Sequence, residues 1–203
     1  KDAGIKDIII ILGYKGAMIK NYANQNFPDL KITYLVNDKY RFSNSSYSFW
    51  QAKNLLLDGS YIHLNCDNLF SFDLLNSIIN SSFENVIATR NDLVLADKMV
   101  NVELEDSKMI NMSVKFFKKA SCKAFGISKF SSQSTILLTD KIKQYVERGE
   151  LNKTYYSIIG QSLNTLPYHA FPTDSGHLLE INTLSDLEVA VKNWAHKIRK
   201  EPI

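Results

Sequence analysis

Apolar positions along this chain come in short blocks separated by polar turns, and the spacing within the blocks switches between strand-like and helix-like. Ile8-Ile9-Ile10-Ile11-Leu12 is continuous, β-branched and ended by Gly13, the pattern of a strand covered on both faces. A helix is expected over about Ala17 to Gln25 and a second strand over Leu30 to Val36. A helix with a Ser-rich start should run from Tyr47 to Leu57, followed by a strand from Tyr61 to Leu64. Strands alternating with helices predict an α/β fold with a mixed, mostly parallel central sheet flanked by helices.

Further along, Asp73 to Asn80 reads helical and Asn85 to Thr89 extended. Val100 to Leu104 and Lys108 to Val114 predict a hairpin turning at Glu105-Asp106-Ser107, an insertion that leaves the α/β rhythm. Cys122 to Ser128 should be a strand, Thr135 to Arg148 a helix closed by Gly149, and Lys153 to Leu163 a helix. Thr183 and Asp186 have capping-box spacing at the head of a last helix, with a buried stripe expected at Leu184, Leu187, Val191, Trp194 and Ile198. Lys1-Asp2-Ala3-Gly4 reads like the close of a helix without the helix. The expectation is one domain over 1–203 that begins in mid-domain.

Composition narrows the chemistry. A chain of 203 residues with 45% hydrophobic content is long enough for one well-buried domain. The net charge of +3 is spread as single lysines among acids, with no basic arm or stripe, so nucleic acid is not an expected partner and small anionic ligands fit better. Cys66 and Cys122 lack C-x-x-C spacing, which suits reduced thiols in a cytoplasmic protein. The run Ile8 to Leu12 is far shorter than the roughly 20 residues that cross a bilayer, so no membrane partner is expected either. The sequence has no G-x-S-x-G, P-loop or G-x-G-x-x-G, and its four histidines share no metal-binding spacing.

In Tyr61-Ile62-His63-Leu64-Asn65-Cys66-Asp67-Asn68, an apolar strand runs into an aspartate, the place where α/β sheets bind ligands. An oxygen ligand there suits Mg²⁺ and phosphates. A second candidate is Asn182, after the apolar Leu178 to Ile181 and before the last helix. Two such ligands could hold one Mg²⁺ and leave other positions to water and phosphate oxygens, as phosphoryl or nucleotidyl transfer requires. Each residue could instead simply cap the turn or helix that follows it. The turn from Asn37 through Ser43, Asn44, Ser45 and Ser48 is dense in short hydrogen-bonding side chains ahead of a helix. It can read a base edge, or it is an ordinary Ser/Asn-rich helix start. Tyr155 and Tyr156 could contribute aromatic faces for a quaternary ammonium, or be core residues.

Together, Gly4 to Tyr14, Asn37-Asp38-Lys39-Tyr40 with Ser43-Asn44, Cys66-Asp67-Asn68, and Glu180-Ile181-Asn182-Thr183 with Asp186-Leu187 resemble the nucleotidyltransferases that activate small phosphorylated metabolites. The closest resemblance is to the bacterial CTP:phosphocholine cytidylyltransferases, relatives of the sugar-1-phosphate nucleotidylyltransferases. It implies the nucleotide-diphospho-sugar transferase fold and a Mg²⁺-dependent transfer of CMP from CTP to a small phosphorylated acceptor, with release of pyrophosphate. It implies that Asp67 and Asn182 hold the metal, Asn182 standing where relatives more often have Asp. Gly13, Tyr14, Asn44, Ser45 and Ser48 would meet the nucleotide, Tyr155 and Tyr156 the acceptor, and catalytic Lys115 the acceptor phosphate. In this chain Ser157 follows the two tyrosines where the family usually has an acid. The family's first strand and Gly-rich loop would lie before Lys1. A sugar-1-phosphate nucleotidylyltransferase, a glycosyltransferase of related fold with Asn65-Cys66-Asp67 in place of a D-x-D motif, and a non-catalytic nucleotide-binding domain are the alternatives.

Overall fold

The computed structural model describes residues 2–57 and 59–198. In chain order its elements are β1 (Asp7–Leu12), α1 (Gly16–Asn26), β2 (Lys31–Val36), α2 (Ser45–Ala52), a 3₁₀ turn (Lys53–Leu55), β3 (Tyr61–Leu64), β4 (Asn68–Phe70) and α3 (Phe72–Ile79). Then come β5 (Val86–Arg90), β6 (Asn101–Glu105), β7 (Lys108–Ser113), β8 (Cys122–Phe130), α4 (Ser132–Glu147), α5 (Tyr155–Gly160), β9 (His169–Thr173), β10 (Leu178–Glu180) and α6 (Leu184–Ile198). They sort into two compact units, Lys1–Ser60 with Ser131–Leu166, and Tyr61–Phe130 with Pro167–Ile203.

In the first unit β1 and β2 pair in parallel, from Asp7 opposite Lys31 to Leu12 opposite Val36. Helix α2 buries Tyr47, Phe49 and Ala52, α4 buries Leu138 and Ile142, and α5 buries Tyr155, Tyr156, Ile158 and Ile159. The short α5 is set by its cap: Thr154 accepts from the Ser157 N–H at 3.1 Å, satisfying a donor that the first turn leaves open.

The second unit carries a six-stranded sheet in the order β3-β8-β5-β9-β7-β6, plus a separate antiparallel ladder of β4 and β10. Leu74 and Ile78 of α3 pack on Val86, Ala88, Phe125, Ile127 and Leu178 to form its core. The fold is α/β and its sheet mixed, as expected, but parallel pairing among the described strands is confined to β1 with β2 and β5 with β9. Strand β8 returns antiparallel to both β3 and β5, and the β6–β7 hairpin runs antiparallel by construction. A continuous apolar run reports burial on two faces, which says nothing about the direction of the neighbouring strand.

Two strands escaped the sequence reading. β4 is three residues long, and β9 contains Pro172, which demotes a strand signal. The helices expected over Tyr47 to Leu57 and Lys153 to Leu163 are shorter than their apolar patterns. The hairpin turn stands as expected, with Asp106 at φ 54°. The stripe assigned to the last helix is corrected in part: Trp194 is buried as expected, but Leu184 is 79% exposed and Val191 63%, and Leu187 is exposed too. Among the described residues of the helix Ala190, one turn before Trp194, is the other buried one. Leu184, Leu187, Ala190, Val191 and Trp194 share one broad apolar face of α6, and hydrophobicity alone does not say which edge of it turns inward. The Ile198 side chain lies outside the described residues. No described helix is long and apolar enough to cross a membrane.

Candidate active site

Strand β3 ends at Leu64 and β4 begins at Asn68, so Asn65-Cys66-Asp67 is the whole connection, and it is fastened to one residue of β8. The Asn65 N–H donates to the Gly126 carbonyl at 2.7 Å, and the Gly126 N–H donates to Asn68 Oδ1 at 3.2 Å. A Cβ on residue 126 would overlap the Asn65 side chain at Cβ and Cγ, which is why this strand position has none. Asn68 is buried and donates its Nδ2 to Asp67 Oδ1 at 2.5 Å, so one oxygen of that carboxylate is fixed by a residue that is itself fixed.

The Asp67 carbonyl accepts from the Ile181 N–H at 2.7 Å. This extends by one pair the ladder of Phe70 with Leu178, Leu69 with Leu179 and Asn68 with Glu180. Asp67 and Asn182 therefore come to the same end of one short ladder. Neither residue caps a helix. Ser71 caps α3, accepting from the Leu74 N–H. Thr183 caps α6 in a reciprocal box: its Oγ1 accepts from the Asp186 N–H at 3.2 Å, while Asp186 Oδ2 accepts from the Thr183 N–H at 2.8 Å. The hydroxyl of Thr183, then the N–H groups of Asn182 and Thr183, hold the Asp186 carboxyl below the usual range.

The Asn182 side chain is exposed and donates Nδ2 to Glu180 Oε2 at 2.8 Å. The same Glu180 oxygen takes Lys123 Nζ at 2.5 Å, and that ammonium lies 4.3 Å from the centroid of the Phe125 ring. Asp67 and Asn182 thus offer a carboxylate and an amide oxygen, hard donors of the kind that Mg²⁺ takes, and few enough to leave positions for water and phosphate.

His63 braces the same turn. Its Nε2 lies 3.2 Å from Asn65 Oδ1, an acceptor, so the neutral ring carries its proton there. Burial pushes its pKa down to about 4, against the opposing pull of the bond to Asn65. A histidine depressed in the folded state binds protons first in the unfolded one. Its neutral form contributes stability that is whole above the unfolded value near 6.5 and is lost as pH falls toward the folded value. Urea unfolding should show up to roughly 3 kcal/mol less stability at pH 4 than at pH 7 from this group. His63→Gln, which keeps a donor and does not titrate, should show a flatter dependence; an equal slope in both proteins would contradict the assignment.

The first unit holds the residues expected at the nucleotide. Tyr14 is 65% exposed, and its ring centroid lies 6.5 Å from that of Tyr40. A Cβ on Gly13 would come within 2.9 Å of Tyr40 Cβ, so Gly13 lets that ring approach the end of β1. Asn44 is exposed and caps α2, accepting from the Ser45 N–H. Ser45 Oγ accepts from the Tyr155 N–H at 2.8 Å, and buried Asn37 donates to Ser43 and Ser48. The hydroxyls of Ser45 and Ser48 thus have structural work within the unit. Tyr155 and Tyr156 are 1% and 7% exposed, and the Tyr155 ring sits 4.7 Å from that of Phe49, the core role that the sequence left open. Lys115 of the second unit is exposed, just past β7, with its N–H on Ser113 Oγ.

Gly126, Asn68, Lys123 and Glu180 were not singled out as site residues from the sequence. A glycine inside the apolar run Ala124 to Ile127 was the available signal, because an isolated strand glycine marks close approach of another segment.

No protein-family model matches the chain. Over 217 residues it is 25% identical to the CTP:phosphoglutamine cytidylyltransferase of Campylobacter jejuni, covering 95% of this chain and 83% of that one. Among solved structures it is similar to CTP:phosphocholine cytidylyltransferase from Streptococcus pneumoniae, with TM-score 0.75, 19% identity, and 94% and 79% of the two chains covered. It is also similar to the inositol-1-phosphate CTP transferase of T. maritima, with TM-score 0.80, 14% identity, and 98% and 80% covered. The fold is that of the nucleotide-diphospho-sugar transferases, and the resemblance to nucleotidyltransferases, cytidylyltransferases among them, holds.

Proposed function

We propose that this chain, whose fold is that of the nucleotidyltransferases, catalyses transfer of CMP from CTP to a small phosphorylated acceptor in the cytoplasm. An acceptor phosphate oxygen forms a bond to the α-phosphorus, the bond from that phosphorus to the bridging oxygen breaks, and pyrophosphate leaves. The observation that supports this reading is the end of the β4–β10 ladder, where the Asp67 carbonyl accepts from the Ile181 N–H and Asn182 is the next residue along, so that two oxygen-bearing residues far apart in sequence reach one ladder end.

These two residues would hold Mg²⁺, which when bound neutralises charge on the triphosphate and helps position it. Asn68 orients the Asp67 carboxylate, and Gly126 holds the turn that presents it. Lys115, exposed beyond β7, is the candidate for the acceptor phosphate, and exposed Tyr14 and Asn44 are the candidates for the nucleotide. Preference for CTP is supported by the sequence similarity to a cytidylyltransferase. Tyr155 and Tyr156 of α5 are buried, so these two residues do not favour phosphocholine over other phosphate monoesters as the acceptor.

The test uses full-length protein with CTP labelled at the α-phosphorus, Mg²⁺ and a panel of phosphocholine, phosphoethanolamine, phosphoglutamine and sugar phosphates. Label should move onto one acceptor as a CDP derivative. Label appearing only as free CMP, whatever acceptor is present, would contradict the reading.

A further inference from the structure

We propose that Glu180 is a positioning residue that makes Asn182 usable as a metal ligand, an inference that rests on the function proposed above. An asparagine amide has two unlike ends: the oxygen can bind a cation and the NH₂ cannot. An exposed asparagine could present either end. Here Nδ2 donates to Glu180 Oε2 at 2.8 Å, and an ionised carboxylate only accepts, so this contact admits the NH₂ end alone and leaves Oδ1 available to a cation. Glu180 is in turn held by Lys123, whose ammonium shares the same oxygen and lies over the Phe125 ring of the core. The Glu180 and Lys123 side chains are 21% and 11% exposed, so the brace is largely sheltered from water while the residue it orients faces outward.

The device suits an amide. An aspartate at position 182 would present oxygen at both ends and need no such partner, and beside Glu180 it would be repelled. Outer partners of this kind fix the orientation of metal ligands, and their loss costs about 10- to 100-fold in metal affinity.

The experiment titrates Mn²⁺ against full-length protein in the presence of CTP and without acceptor, with bound ion read by electron paramagnetic resonance and folding followed by thermal unfolding. Glu180→Leu should weaken Mn²⁺ binding about 10- to 100-fold. Glu180→Leu combined with Asn182→Asp should recover most of that loss, because orientation no longer matters. Lys123→Met with Glu180→Leu, which leaves no unpaired ammonium, should weaken binding like Glu180→Leu alone and carries the test if that variant does not fold. Equal affinity in wild type and Glu180→Leu would overturn the inference and leave the proposed function standing. Loss that persists in the Asn182→Asp background would also overturn it, since it would show a packing role only. Absence of Mn²⁺ binding by wild type with CTP would overturn both.

Discussion

Replacing Asp67 by alanine should lower pyrophosphate release at least about a hundredfold, since loss of a partner that merely orients a metal ligand already costs about 10- to 100-fold. The carboxylate is the one formal negative charge in the proposed pair of donors, and no other acid flanks it in the Asn65 to Asn68 turn. The alanine variant should also lose about 1–3 kcal/mol of stability, because buried Asn68 would keep an Nδ2 group without its acceptor. Asp67→Asn separates the two effects. Its amide oxygen can still accept from Asn68, so unfolding should stay near wild type while turnover falls and the Mg²⁺ concentration for half-activity rises. Steady-state kinetics against Mg²⁺, with urea unfolding of the same samples, checks both; unchanged turnover in Asp67→Asn would remove the charge from the mechanism.

Gly126→Ala should be nearly as damaging to activity although it adds one methyl group. The new Cβ would occupy the space of the Asn65 side chain, so the turn must move or β8 must deform. Overpacking of this kind costs about 1–3 kcal/mol. The same displacement moves Asp67, and misplacement of a reacting constellation by about 1 Å can cost on the order of a hundredfold in rate. Asn65→Gly in the same background should restore part of both losses by clearing the overlap, which a defect elsewhere would not allow. Unfolding midpoints and turnover of the single and double variants measure this; no recovery in the double variant would show that the contact with Asn65 is not the cause.

Much of the site was legible in the sequence because its key positions end apolar runs. Asp67 comes after the strand that packs half-buried Ile62 against the core, and Asn182 follows Leu178 to Ile181, so each was visible as a polar residue where a strand gives way. The capping box at Thr183 and Asp186 was readable from spacing alone, and its presence in the structure frees Asn182 from the capping role. What could not be read was pairing. Strand β4 is too short to show a period, so nothing in sequence said that Asp67 and Asn182 share one ladder. The network from Phe125 through Lys123 and Glu180 to Asn182 joins strands far apart in sequence, and charge pairs of that kind leave no local pattern. The tyrosines of α5 show the converse: an aromatic pair looks alike in sequence whether it faces a ligand or, as here, the core.

The central claim, that the Asp67 and Asn182 ladder end serves a nucleotidyl transfer, is tested most directly by pyrophosphate release from full-length wild type and Asp67→Ala, with Mg²⁺, each NTP and the acceptor panel. The account predicts release that requires CTP, Mg²⁺ and one phosphorylated acceptor together and that is lost in Asp67→Ala. Release that persists undiminished in Asp67→Ala, or no release by wild type with any pair of NTP and acceptor, would contradict it.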